Sequence, residues 1–259
     1  MMADREVLRL MRRTLEGKGR QEVGAVQGKS WRWVLRAIVG AKVTVLDTVL
    51  LSEIVPRLIY TDQLGEVVER EQPGVETVLA RFHSTYNQSK VCRLDGPLSL
   101  QQVAEALPVA KGFVEDMKWV GVRWGELRRE MEKVGEMKAL QCMRYACKHK
   151  PQETIIHLIR AKSEGTYTST LYVLENGKAR IENNLQREET TLASTVEILH
   201  SIEKKREVRV LDLEAVYLQD ENQRLWLQLT QKCMVQSWDR GHIPVTFDPG
   251  ARVLLLSVL

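Results

Sequence analysis
With 259 residues, 44% of them hydrophobic and 28% charged, the chain can bury a real core in one large or two small units, which excludes disorder over most of its length. A formal charge of +4 with a pI near 8.8 is a mild basic excess, too slight for a dedicated duplex-binding domain, although an anionic partner is allowed. The first 13 residues thread Asp4, Arg5, Glu6, Arg9, Arg12 and Arg13 through their apolar positions, which is no signal peptide, and Arg36, Lys42, Asp47, Glu53 and Arg57 interrupt the apolar region 31–60 too often for a cheap bilayer span.

Asp4 is an N-cap for a first helix to Leu15, after which Gly17, Gly19, Gly24 and Gly28 break the chain. Gly24 to Ser30 ends like a phosphate-binding loop but has three residues between its glycines where that loop needs four, so it reads as a linker with Ser30 as an N-cap. Trp31, Trp33, Val34, Leu35 and Ile38 open a helical face that Leu46, Val49, Leu50, Ile54 and Leu58 continue and Pro56 kinks. After Pro73-Gly74, the spacing of Val75, Val78, Leu79, Phe82 and Tyr86 predicts an amphipathic helix, closed by a polar loop from 87 to 97.

Ser99 with Gln102 forms a capping box, and two short helices are expected at 99–107 and 110–120. Small Ala104 at the crossing, with Val103, Leu107, Val109, Val114 and Met117 turned inward, resembles a helix-turn-helix or winged-helix module. Its basic side chains are Lys111 and Lys118. Pro108 stands where such a turn normally has Gly, and Glu115 and Asp116 would face phosphates unfavourably.

From 123 to 150 the sequence is basic and helix-favouring, and Pro151 supplies a stop and a fresh start. Beyond it, Tyr167, Leu171, Leu174, Ile181, Leu185, Leu192, Val196 and Leu199 recur at steps of three, four or seven, which predicts one continuous helix over 152–203. The rival reading is a β-hairpin turning at Asn176-Gly177. A second seam, with Leu211, Leu218, Leu225 and Leu229, keeps the helical rhythm as an assembly surface. Residues 250–259 suit a strand or a docking tail.

The expected class is therefore mainly α: a helical N-terminal domain (1–96), a helix-turn-helix-like segment (97–122), a long-helix assembly domain built as a helical hairpin or coiled coil (123–232) and a C-terminal tail (233–259). Cys92, Cys142, Cys147 and Cys233 show no disulfide framework, so free thiols in a reducing compartment are expected. Cys142, Cys147 and His149 cluster, but zinc needs a fourth ligand, and none of the histidines stands beside a framed nucleophile. No catalytic residue, cofactor or metal is expected.

Between about 125 and 229 the pattern resembles the ESCRT-III family, the charged multivesicular body proteins. A basic helix ending near Lys148-His149-Lys150, a second helix starting at Pro151, the pairs Leu174-Glu175 and Ile181-Glu182, and basic-then-acidic polarity carry the resemblance. It implies a non-enzymatic subunit that polymerises through long helices on membranes, cytoplasmic and peripheral on an endosomal or nuclear membrane. Arg123, Arg128, Arg129, Lys133 and Lys138 would face anionic lipid. The alternatives are a lipid-free helical scaffold binding a protein partner and a nucleic-acid-binding protein using the 97–122 segment.

Overall fold
The computed structural model describes residues 25–51, 55–89, 108–115, 118–132, 137–143, 154–161, 167–175, 178–182, 184–220 and 222–237. Their architecture is mainly β and corrects the helical expectation: two six-stranded antiparallel sheets carry four helices. The first sheet contains β1 (Val26–Gly28), β8 (Thr154–Ala161), β9 (Tyr167–Glu175), β10 (Lys178–Ile181), β11 (Val208–Gln219) and β12 (Leu225–Ser237), in the order β1-β12-β11-β8-β9-β10. The second contains β2 (Thr48–Leu50), β3 (Arg57–Thr61), β4 (Val67–Glu71), β5 (Pro108–Phe113), β6 (Trp119–Arg123) and β7 (Ala139–Cys142), in the order β4-β3-β2-β7-β5-β6. The second sheet thus draws strands from 48–71 and from 108–142.

The described residues also form four helices: α1 (Trp31–Ala37), α2 (Val75–Ser89), α3 (Trp124–Glu132) and α4 (Leu185–Arg206). Ser30 caps α1, its Oγ accepting from the Trp33 N–H, as the sequence predicts. Asn184 caps α4 in the same way through the Arg187 N–H. One core joins α1 and α4 to the first sheet and to the inner face of the second, where Leu50, Ile59, Phe113 and Ala139 sit. Trp31 and Phe113 meet there with ring centroids 4.8 Å apart. The other core lies on the outer face of the second sheet, where Val49, Leu58, Ala110, Val122 and Leu140 pack under Val78 and Phe82 of α2 and Leu127 of α3.

The sheets are stitched together where Val45 pairs with Leu227: Leu227 N–H donates to the Thr44 carbonyl at 2.8 Å and Leu46 N–H to the Leu227 carbonyl at 3.1 Å. Gln141 of β7 adds a second stitch. Its Nε2 donates to the Gln228 carbonyl of β12 at 2.7 Å and to Thr48 Oγ1 at 3.1 Å.

The continuous helix expected over 152–203 is in fact three strands and one helix, so the ESCRT-III resemblance loses its scaffold. In β8, Ile155, His157 and Ile159 are buried while their neighbours are half-buried or exposed, the period of a strand. Glu175 pairs with Lys178 across the antiparallel β9–β10 ladder, so of the two readings the β-hairpin is realised in its strands, while residues 176 and 177 lie outside the described residues. The 208–229 seam is likewise two strands. Asp220 turns the chain between them, its Oδ1 accepting from the Asn222 and Arg224 N–H groups, with Gln223 at φ +61°. The second helix of the helix-turn-helix module, expected at 110–120, does not form either, because 108–113 and 119–123 are strands, and its first helix, expected at 99–107, lies outside the described residues; Pro108 begins β5, the strand position where a missing N–H is tolerated.

Candidate functional site
The second sheet ends in the hairpin β5–β6, whose alternation of Val, Gly and Trp suits a pleated surface better than a helix. β5 lies between β7 and β6, whereas β6 pairs with β5 alone and is the outer edge of the sheet among the described residues. Lys111, Phe113 and Trp119 share the inner face, since Lys111 stands opposite Gln141 and Phe113 opposite Trp119. Gly112, Val120 and Val122 share the outer face with Leu140.

The hydrogen-bonding phase of the edge follows from one bond. Val114 N–H donates to the Lys118 carbonyl at 3.0 Å, so by the alternation of an antiparallel ladder Val120 turns its backbone groups towards β5. Trp119 and Gly121 therefore direct their N–H and C=O groups outward. The edge closes at Arg123, whose N–H donates to Glu126 Oε2 at 3.0 Å, half of a capping box at the start of α3.

Edge strands are usually blunted, because a row of open backbone groups templates pairing with another chain. Here Trp119 is 49% exposed and Val120 44%. Between β6 and α3 lies a groove of about 400 Å³ lined by Val114, Val120, Val122 and Met137, with Glu126, Arg129 and Glu130 at its margin. On the inner face, Lys111 Nζ sits 4.6 Å from the centre of the Trp119 ring. Burial pushes the Lys111 ammonium below the ordinary lysine pKa, and among the described residues no carboxylate pairs with it.

The residues singled out from the sequence scatter around this edge. Arg123 ends β6. Arg128 and Arg129 lie on α3, Arg128 paired with Glu76 and Arg129 3.8 Å from Glu130. Lys138 precedes β7, its N–H donating to the Phe113 carbonyl at 2.6 Å, and Lys118 stands exposed in the β5–β6 turn. Ala104 and Lys133 lie outside the described residues. Leu211 and Leu218 belong to β11, Leu225 and Leu229 to β12; the last three are buried, so they are core positions and not a helical assembly seam. Trp119, Val120 and Met137, which shape the edge and groove, were not among the residues the sequence pattern selected.

Other polar chemistry is sealed in the core. Thr195 of α4 donates its hydroxyl proton to the Thr191 carbonyl at 2.8 Å, which leaves its oxygen to accept from Tyr217 OH at 2.9 Å and from His157 Nδ1 at 2.8 Å. His157 Nε2 then accepts from Ser169 Oγ at 2.6 Å. The network is satisfied at each of these atoms and ties α4 to the sheet. Asp47, buried, is held by Arg81 at 3.1 Å and Thr85 Oγ1 at 2.6 Å. Cys142 lies in the core under α2, and Cys147 and His149 lie outside the described residues. Among the described residues no helix is long and apolar enough to cross a membrane.

No protein family matches the chain, and no curated protein does. Among solved structures, the ADP complex of an N5-carboxyaminoimidazole ribonucleotide synthetase is similar at 9% identity and a TM-score of 0.42, over 78% of this chain and 44% of its own. The corresponding synthetase from Thermus thermophilus gives 14% identity and a TM-score of 0.33 over 52% and 38%, and a SAICAR synthetase gives 10% and 0.28 over 83% and 91%. The chain spans less than half the length of the first two. The two antiparallel sheets leave the polymerising membrane subunit without its long helices, and the expectation of a non-catalytic chain, which came with that resemblance, goes with it. Likenesses this distant supply no activity in their place.

Proposed function
We propose that this chain is a protein-binding β module that takes an extended segment of a partner protein along the outer edge of β6. The observation that carries the reading is the edge that the described residues leave unpaired: Trp119 and Gly121 present outward backbone groups beside two exposed apolar side chains and an adjoining groove. Strand addition uses this combination, with main-chain hydrogen bonds for affinity and a side-chain pocket for specificity. A reducing, cytoplasmic setting accompanies the reading; Cys142 and Cys233 are buried outside any disulfide.

A random-peptide display selection on the full chain tests it. Selected peptides should lose binding to Val120→Asp, which places a charge at the mouth of the groove, and keep it to Leu64→Asp, whose parent side chain is 81% exposed elsewhere. Peptides that bind both variants equally would place the binding surface away from β6.

A further inference from the structure
The two faces of the β6 edge differ in charge, and the difference specifies what kind of segment fits. A strand laid beside β6 turns alternate side chains to the two faces of the sheet. Those on the outer face meet Val120 and the groove floored by Val122 and Met137. Those on the inner face meet Trp119, Lys111 reaching over its ring, and Arg123 at the end of the strand. Exposed Lys118 stands in the turn next to Trp119. Among the described residues no ion pair joins the side chain of Lys111 or Arg123 to a carboxylate, whereas Glu126, which accepts from the Arg123 backbone N–H, and Glu130 line the groove on the outer face, so the two cations of the inner face are the ones open to an acidic partner.

Resting on the strand-addition reading above, we infer that the β6 edge selects an extended partner segment in which apolar residues alternate with acidic ones, apolar towards the groove and acidic towards Lys111 and Arg123. Cross-strand pairs of opposite charge stabilise a ladder, and like charges opposed weaken it. The same rule disfavours a second copy as the occupant, since two β6 edges would bring two sets of these cations together. Lys111 is the discriminating residue because it is half-buried, where a neighbouring carboxylate is screened less than at an open surface.

The test compares three labelled synthetic peptides by fluorescence anisotropy with the full chain: one alternating Val and Glu, one alternating Val and Lys, one alternating Thr and Glu. The Val–Glu peptide should bind at least roughly tenfold tighter than either of the others, the size of effect that one or two good ion pairs or apolar contacts supply. Lys111→Glu should reverse the order of the Val–Glu and Val–Lys peptides, and Arg123→Glu, at an exposed position, should weaken Val–Glu binding without touching the core. Equal binding of Val–Glu and Val–Lys would overturn the charge preference while leaving strand addition intact. Equal binding of Val–Glu and Thr–Glu would overturn it as diffuse charge capture. Binding of none of the three would overturn the strand-addition reading with it, as would a dimer in sedimentation that Val120→Asp dissolves.

Discussion

Met137 lies where a side chain on Gly112 would stand: a Cβ at Gly112 would come within 2.5 Å of Met137 Sδ and 2.6 Å of its Cε. Gly112 sits on the outer face between Val120 and Leu140, so its missing side chain seats the thioether that floors the groove. Gly112→Ala should push the flexible end of Met137 into the groove, at a stability cost of about 1–3 kcal/mol, the usual range for overpacking. Binding of the Val–Glu peptide should weaken, and adding Met137→Ala should restore it. Urea unfolding together with anisotropy checks this; undiminished binding by Gly112→Ala would show that Met137 does not shape the groove.

His157 sets an acid limit on stability. Burial holds its pKa down to about 4, against an ordinary value of 6.5. The unfolded chain therefore takes up this proton near pH 6.5, while the folded chain resists it until about pH 4. The contribution is fully present above pH 6.5 and is lost on acidification, at about 1.4 kcal/mol per pH unit until about pH 4. Urea unfolding between about pH 7.5 and about pH 4.5 should show a shallower acid slope for His157→Gln than for the parent chain. Identical slopes would mean that another group sets the limit.

Arg81 holds the buried Asp47 carboxylate, donates to the Thr61 carbonyl at 3.1 Å and covers the Tyr60 ring at 3.7 Å. Arg81→Ala leaves a buried carboxylate without that cation and should cost about 3–5 kcal/mol. Combining it with Asp47→Asn should recover part of the loss. Thermal unfolding of the two variants decides; no recovery in the double variant would place the loss in the Tyr60 and Thr61 contacts.

Leu218 distinguishes a core strand from a helical seam. It is 8% exposed on β11, which lies between β12 and β8. Leu218→Asp should therefore destabilise the chain by more than about 2 kcal/mol, since it buries an unpaired polar group in a sheet interior. Circular dichroism on heating checks this. A variant that keeps its melting temperature and loses only a partner contact would contradict the placement of Leu218 in the core.

What the sequence made legible was local. Ser30 as an N-cap, the helix after Pro73-Gly74 and the face formed by Leu192, Val196 and Leu199 of α4 are all realised, because capping and a 3.6-residue period act within a few turns of chain. The strands escape the sequence pattern for a physical reason. Leu211, Leu218 and Leu225 are seven apart, yet the last step crosses the turn at Asp220, so the heptad joins two neighbouring strands. In β8 the polar His157 occupies a buried position, which masks the period of two and makes sense only once Thr195 arrives from α4. The candidate site was not legible, because an edge is defined by which strands are neighbours, and the five residues of β6 carry no signal of that.

The most direct test of strand addition is amide hydrogen exchange along β6 with and without saturating Val–Glu peptide. The account predicts new protection at Trp119 and Gly121, whose N–H groups point outward, and little change at Val120 and Val122, whose N–H groups already face β5. Binding that leaves Trp119 and Gly121 as exchangeable as before would contradict the claim that a partner extends this sheet.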